Sequence, residues 1–392
     1  MSKEKSMGKF ILALGLLITG INFAFGQTDI YDSIYVDQDW RTYNIHLPKG
    51  FKTNAKYALV FGFHGGQQAG RTEIGWRALP LQSLLSDKAD KEGFIVVYPE
   101  GKEFVTGRSW NAGDCCPPSS SKGVDDVAFT KILLDSLFVK YPVDTTRVYA
   151  TGTSNGAMFC YRLACELSHR IAAIAPNAAS LMQQPCNPTK KVPIISFNSK
   201  IDPIVPYYGG FGPTGIPFLK DVYFPAQDST LRIWSRANSC SQRDTIVNGK
   251  NNGFDFIRLR DCGCDAEVHH YATSDGGHSW PGGIPNDVSP VSKQLNATDL
   301  LWSFFQKYTL KCSTTGLENA LETNTKMAAY PNPFSNKINL TNATGVENLT
   351  LMNGFGQFIW KGKNIDQQDF SALSPGLYYL IAEHQFIRMV KN

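Results

Sequence analysis

The sequence predicts an α/β fold, a mostly parallel sheet flanked by helices, with a small β-sandwich behind it. Three observations carry this. Short, wholly apolar runs alternate with helix-period segments over the first three quarters of the chain, the pattern of a sheet covered on both faces. One such run passes through a glycine-rich turn straight into a helical pattern at residues 148–165. Near residue 328 the apolar period changes to two, as half-buried antiparallel strands require.

The elements follow in order. Lys3, Lys5 and Lys9 precede an apolar stretch at 10–21, and Ala24-Phe25-Gly26 stands before Gln27. That predicts a signal peptide over 1–26, too short for a bilayer anchor, and no other segment of sufficient length and apolarity to span a membrane. Residues 57–63 and 94–98 read as strands buried on both faces, the second ended by Pro99. Asp125-Asp126 opens a helix whose Phe129, Ile132, Leu133 and Leu137 recur at helical spacing. Strands at 148–151 and 192–197 complete the α/β region, set at 27–312. Residues 313–328 are polar and read as a linker. In the last part, 329–392, the short strands 337–340, 348–351 and 377–380 and the Asn353-Gly354 turn signal predict the small antiparallel sandwich.

Charge and cysteines narrow the class. The 392 residues carry a formal charge of +4, and loss of three lysines and Glu4 with the leader brings it to +2. That is too weak a field for a nucleic-acid partner. Nine cysteines in an exported chain predict disulfides. Cys115 and Cys116, as neighbours, are expected to reach separate partners, with Cys160 and Cys165 as candidates, and Cys240 is expected to pair with Cys262 or Cys264. The odd count leaves at least one thiol free. No C-x-x-C pairs stand at zinc spacing, so no metal site is expected, and no cofactor.

Chemistry concentrates in three motifs. Gly152-Thr153-Ser154-Asn155-Gly156 between a strand and a helix has the form of a nucleophile elbow, which holds a serine hydroxyl on a sharp turn at the sheet edge. This makes the predicted architecture an α/β-hydrolase fold with Ser154 as nucleophile. A serine hydroxyl needs a base, and the base needs a group to orient it. Five of the seven histidines follow Ser154: His169, His269, His270, His278 and His384. His278 alone lies in a glycine-rich loop, Asp275-Gly276-Gly277-His278-Ser279-Trp280, and is assigned as base and then acid. Asp202, directly after the strand at 192–197, is assigned as the acid ahead of Asp221, Asp228, Asp244 and Asp275. Backbone N–H groups of Asn155 and of Gly66, in His64-Gly65-Gly66-Gln67, are the expected oxyanion donors. His64 itself reads as a hydrogen-bonding scaffold. Trp280, Gln67 and Trp110 are expected to contact substrate, with Trp76 as a further pocket residue.

With these motifs in hand, residues 40–310 resemble the polyhydroxybutyrate-depolymerase-like esterases, a group that merges with the feruloyl and acetylxylan esterases of carbohydrate esterase family one. The resemblance runs through His64-Gly65-Gly66, the segment from Trp110 to Cys116, Val124 to Val127, the elbow, Asp202 to Tyr207 and Gly277 to Gly282. In that family the acid loop usually begins His-Gly, where this chain has Asn198-Ser199-Lys200. The resemblance implies a secreted serine esterase acting through an acyl-enzyme, with a feruloyl or acetyl ester on plant polysaccharide as substrate. Polyester depolymerisation is the nearest alternative, and an inactive carbohydrate-binding relative a more distant one. The tail, from Tyr330-Pro331-Asn332-Pro333 to the basic end at Lys391, resembles a type IX secretion sorting domain. That implies the secretion machinery as partner and a secreted or cell-surface location.

Overall fold

The computed structural model describes residues 28–68, 77–216, 219–247, 253–285, 289–310, 328–341, 349–353, 358–382 and 385–392. The expected signal peptide, all of the expected linker but its last residue, Gly354 of the turn signal, and Trp76 lie outside them.

The chain opens with an antiparallel hairpin, β1 (Thr28–Val36) and β2 (Asp39–Leu47). The apolar strand β3 (Tyr57–Phe63) follows, then the two-residue β4 (Gln67–Gln68) and helices α1 (Ala78–Ser83) and α2 (Leu85–Glu92). Strand β5 (Ile95–Pro99) leads to β6 (Lys102–Phe104) and β7 (Gly107–Ser109), which form a small sheet with β4. Helix α3 (Asp126–Lys140) precedes the long β8 (Val143–Thr153), the elbow helix α4 (Asn155–Glu166), β9 (Ala173–Asn177) and β10 (Ile194–Ser199). A two-stranded ribbon, β11 (Gly210–Phe211) and β12 (Tyr223–Phe224), leads to α5 (Gln227–Ala237), and β13 (Gln242–Ile246), β14 (Phe254–Arg260), β15 (Val268–Thr273) and α6 (Ala297–Phe305) close the unit.

Ten strands form one sheet in the order β1-β2-β5-β3-β8-β9-β10-β15-β14-β13. The run from β5 to β15 is parallel, and both edges are antiparallel. This is the α/β-hydrolase fold. Helices cover both faces, so every residue of β3, β5 and β10 is buried; β3 and β5 are apolar runs, and β10 ends in the buried polar residues Asn198 and Ser199. Alternation then divides β3 between two cores. Leu59, Phe61 and Phe63 pack under α3, α4 and α5, and Ala58 and Val60 pack under α1, α2 and α6. At the start of α3, Asp125 accepts the Ala128 N–H at 2.9 Å as an N-cap. Asp126 instead points inward, where it takes Arg41 Nη2 at 2.7 Å and the Asn111 N–H at 2.8 Å.

The tail is all antiparallel. Strands β16 (Ala328–Tyr330) and β17 (Asn339–Thr341) pair with each other, and β18 (Leu349–Asn353), β19 (Phe358–Gly362), β20 (Gly376–Ala382) and β21 (Gln385–Lys391) form a sheet in the order β19-β18-β20-β21. It has its own core, in which Phe334, Ile338, Leu351, Leu380 and Met389 are fully buried.

The cysteine expectations need correcting. Cys115 and Cys116 bridge each other across a cis peptide, which brings their Cα atoms to 3.0 Å. Cys165, expected to serve one of them, pairs with Cys186. Cys240 pairs with Cys262 as one of the two expectations had it, and Cys264 is disulfide-bonded too. Among the described residues the free thiol is Cys160, buried on α4.

Candidate active site

Three parallel strands end at one edge of the sheet, and the loops beyond them carry the candidate residues. Strand β8 runs into Ser154, whose backbone sits at φ 54° and ψ −126°. A non-glycine residue holds so unfavourable a conformation only where its surroundings dictate it. Here they do. A side chain at Gly152 would come within 2.6 Å of the Phe63 carbonyl oxygen, and one at Gly156 within 2.3 Å of the His64 carbonyl oxygen. The end of β3 therefore presses against the elbow from both sides, and only glycines fit there. The Ser154 N–H donates to the Asn177 carbonyl at 2.9 Å, and the Ser154 carbonyl accepts the first α4 hydrogen bond from Met158 at 2.9 Å. Ser154 is half-buried at the head of that helix.

The loop after β3 lies alongside. A side chain at Gly65 would stand 3.3 Å from Ser154 Cβ, and one at Gly66 3.8 Å from Asn155 Cβ. Gly66 is exposed, and the Asn155 N–H belongs to the first turn of α4, where backbone donors have no partner within the helix. Two scaffolds hold this loop. The His64 imidazole donates from Nδ1 to the Gly65 carbonyl at 2.7 Å and accepts the Gly101 N–H on Nε2 at 2.9 Å. Burial pushes its pKa down to about 4, so it stays neutral. The Asn155 side chain clamps the Trp110 backbone, accepting its N–H at 2.7 Å and donating to its carbonyl at 2.9 Å, and Trp110 Nε1 donates to the His64 carbonyl at 3.0 Å.

Asp202 follows β10 and His278 follows β15. His278 Nδ1 lies 2.8 Å from Asp202 Oδ2, with the two side chains 10% and 1% exposed. Asp202 Oδ1 accepts the N–H groups of Ile204 at 2.8 Å and Val205 at 3.0 Å, which fixes the carboxylate face. A carboxylate on Nδ1 selects the tautomer that leaves Nε2 with its lone pair. The histidine loop is glycine-rich because the 289–292 segment backs it closely: a side chain at Gly276 would meet Ser292 N at 2.5 Å, and one at Gly277 would meet Ser289 Oγ at 2.7 Å. Ser199, which stands where the family pattern has glycine, donates to the Gly276 carbonyl and so ties the end of β10 to this loop.

One residue escaped the sequence reading. Asn177, at the end of β9, is 1% exposed. Besides holding the Ser154 N–H, it donates from Nδ2 to Thr153 Oγ1 at 3.1 Å and to the Ser279 carbonyl at 3.0 Å. It thereby joins the serine turn to the histidine loop. Its only sequence signal is a polar residue closing an apolar strand.

Two expected substrate contacts are corrected. Trp110 is fully buried between Phe63 and Phe159, and Trp280 is 1% exposed with Nε1 bonded to Thr298 Oγ1 at 2.9 Å. Both indoles are core, their polar edges satisfied internally. Gln67 is half-buried in β4, opposite Arg108 of β7. Elsewhere, His270 bridges Ser196 and Tyr207, His269 pairs with Glu267, and His384 lies outside the described residues. Of the rival acids, Asp228, Asp244 and Asp275 are engaged by Arg243, Arg260 and Ser292 respectively, and Asp221 is exposed beside Lys220. Among the described residues no cluster of three or more His, Cys, Asp or Glu is placed to hold a metal, and no helix is long and apolar enough to cross a membrane.

Comparison with known proteins adds the following. Residues 328–391 match the secretion system C-terminal sorting domain family, so the tail is a type IX sorting domain. Feruloyl esterase B of Piromyces equi is 29% identical over 241 residues, covering 60% of this chain and 42% of that protein. A bifunctional acetylxylan esterase/xylanase of Neocallimastix patriciarum is 26% identical over 276 residues, covering 69% of this chain and 34% of that protein. The chain thus spans less than half the length of either relative. An acetyl xylan esterase structure from Aspergillus awamori aligns with a TM-score of 0.47 at 13% identity, over 71% of this chain and 99% of that one.

Proposed function

We propose that the protein is an exported serine carboxylic-ester hydrolase that acts on esters borne by plant polysaccharide, feruloyl or acetyl groups above all. The observation that carries this reading is the placement of Ser154 on a left-handed turn at a helix head, tied through Asn177 to the loop of His278, whose imidazole meets the buried Asp202. Ser154 Oγ attacks the ester carbonyl as its proton passes to His278 Nε2. The oxyanion is received by the N–H groups of Asn155 and Gly66, each such donor being worth about 10²- to 10³-fold in rate. The tetrahedral intermediate collapses, the alcohol leaves with the proton from His278, and Ser154 keeps the acyl group. Water then repeats the sequence, losing its proton to His278 and releasing the acid. Asp202 holds the imidazole tautomer and stabilises the imidazolium at each stage. The polysaccharide substrate is supported by the named activities of the relatives, and export by the sorting domain.

The test is hydrolysis by the mature chain and its Ser154→Ala variant, on methyl ferulate, p-nitrophenyl acetate, acetylated xylan and a hydroxybutyrate oligomer. Turnover of ferulate or acetylxylan, reduced by at least about 10⁴-fold in the variant, is expected. Turnover of the oligomer alone would favour the polyester alternative. Equal rates in both proteins would overturn the role of Ser154.

A further inference from the structure

On the β1–β2 hairpin, Tyr31 and Tyr35 share one face of β1, and the register sets Trp40 of β2 directly opposite Tyr35. These rings face solvent, with exposures of 58%, 53% and 61%. Tyr35 and Trp40 lie 5.4 Å apart between ring centroids. Tyr31 stands four residues along the strand, about 13 Å away. The positions between them on this face are Ser33 and Thr42, hydroxyls rather than charges.

The strip continues towards the candidate active site. Tyr31 OH donates to Glu100 Oε2 at 3.1 Å, and Arg108 Nη1 lies 3.8 Å from the same oxygen. Arg108 is the β7 partner of Gln67, in the loop that carries Gly66. At the hairpin tip, Asp39 pairs with Lys102 of β6. The small β4–β7–β6 sheet therefore bridges the loop beside Ser154 and the three rings.

We propose that this strip is an accessory subsite for the neutral polysaccharide chain that carries the ester. The inference rests on the esterase reading above. Flat exposed rings meet the apolar face of a sugar, and the hydroxyls beside them accept its polar edge. The charges beside the rings are already engaged, Glu100 being buried against Tyr31, Thr42 and Arg108 and Asp39 paired with Lys102, so an ionic partner finds little to pair with. A second copy of the chain is disfavoured on area: three rings exposed to this degree offer at most about 400 Å², half of one side of a stable protein interface.

The experiment compares the mature wild type with Tyr35→Ala/Trp40→Ala and with the conservative Trp40→Phe. Retardation in gels containing soluble arabinoxylan is measured together with kcat/KM on methyl ferulate and on feruloylated arabinoxylan. The double variant is expected to lose about tenfold in polymer affinity and in kcat/KM on the polymer, with methyl ferulate unchanged within about twofold. Trp40→Phe should keep most of both. Equal retardation of wild type and double variant would overturn the subsite, as would an equal fall on both substrates. So would a wild-type dimer that the double variant breaks, seen by sedimentation. A wild type that cleaves no ester defeats the esterase reading alone, because retardation still decides the strip.

Discussion

Asn177 ties the catalytic proposal to a contact that can be removed. Its amide bridges Thr153 and Ser279, and its carbonyl holds the Ser154 N–H. Asn177→Ala keeps the carbonyl and loses the bridge, taking a donor from the buried Ser279 carbonyl and from the half-buried Thr153 hydroxyl. The separation of the serine turn from the histidine loop then loses its fixed length. Loss of roughly 1–3 kcal/mol of positioning corresponds to a fall of about 5- to 150-fold in kcat, with KM within about twofold. Steady-state kinetics on p-nitrophenyl acetate read the split, and a fall that merely tracks loss of folded protein would make Asn177 structural only. The placement of Ser154, Asp202 and His278 in loops that follow β8, β10 and β15 was legible in the sequence because each sits in its own local pattern of strand and turn. Asn177 was not, because its three bonds reach two segments distant from it along the chain, the serine turn and the histidine loop. Trp110 and Trp280 misled for the opposite reason: closeness to a motif along the chain says nothing about which way an indole points.

Arg41 and Asp126 connect the edge of the sheet to its helical layer. They join β2 to the start of α3 at 2.7 Å, with side chains 7% and 0% exposed, and the arginine also stacks on Phe129 at 4.2 Å. Removing one charge strands the other. Asp126→Ala is expected to destabilise by about 3–5 kcal/mol, and Arg41→Met/Asp126→Leu to recover most of that. Urea denaturation midpoints check both. A double variant no better than the single would show that the Asp126 bond to the Asn111 N–H matters more than the pair. At this scale the sequence was most readable where apolar residues run unbroken, as in β3 and β5. Strands β13 and β14 passed unnoticed because β13 is mostly exposed, β14 is only partly buried, and both mix charge with apolar residues. The Cys115–Cys116 bridge was missed because nothing in the residue pattern marks its peptide isomer.

Two histidines couple the whole molecule to pH. His64 and His270 are fully buried, and burial pushes each pKa down to about 4, against about 6.5 in the unfolded chain. Between those values the unfolded state binds protons that the native state refuses, so stability falls as pH drops. From pH 7 to pH 5 each should lose the protein about 2 kcal/mol. His46 runs the other way. Burial opposes its charging, but Asp29 and Asp90 outweigh this and raise its pKa, so its contribution is present in acid and fades as pH rises. Comparing wild type with His270→Gln cancels that term. The variant should show the shallower decline in urea midpoint from pH 7 to pH 5, and parallel slopes would place the acid sensitivity elsewhere.

The buried thiol of Cys160 has a use that its chemistry alone does not suggest. It sits on the helix that Ser154 heads, and burial lifts its pKa well above the ordinary thiol value. A soluble alkylating reagent reaches it only when that helix parts from the sheet. The rate of its modification is therefore a clock, built into the chain, for how often the elbow opens.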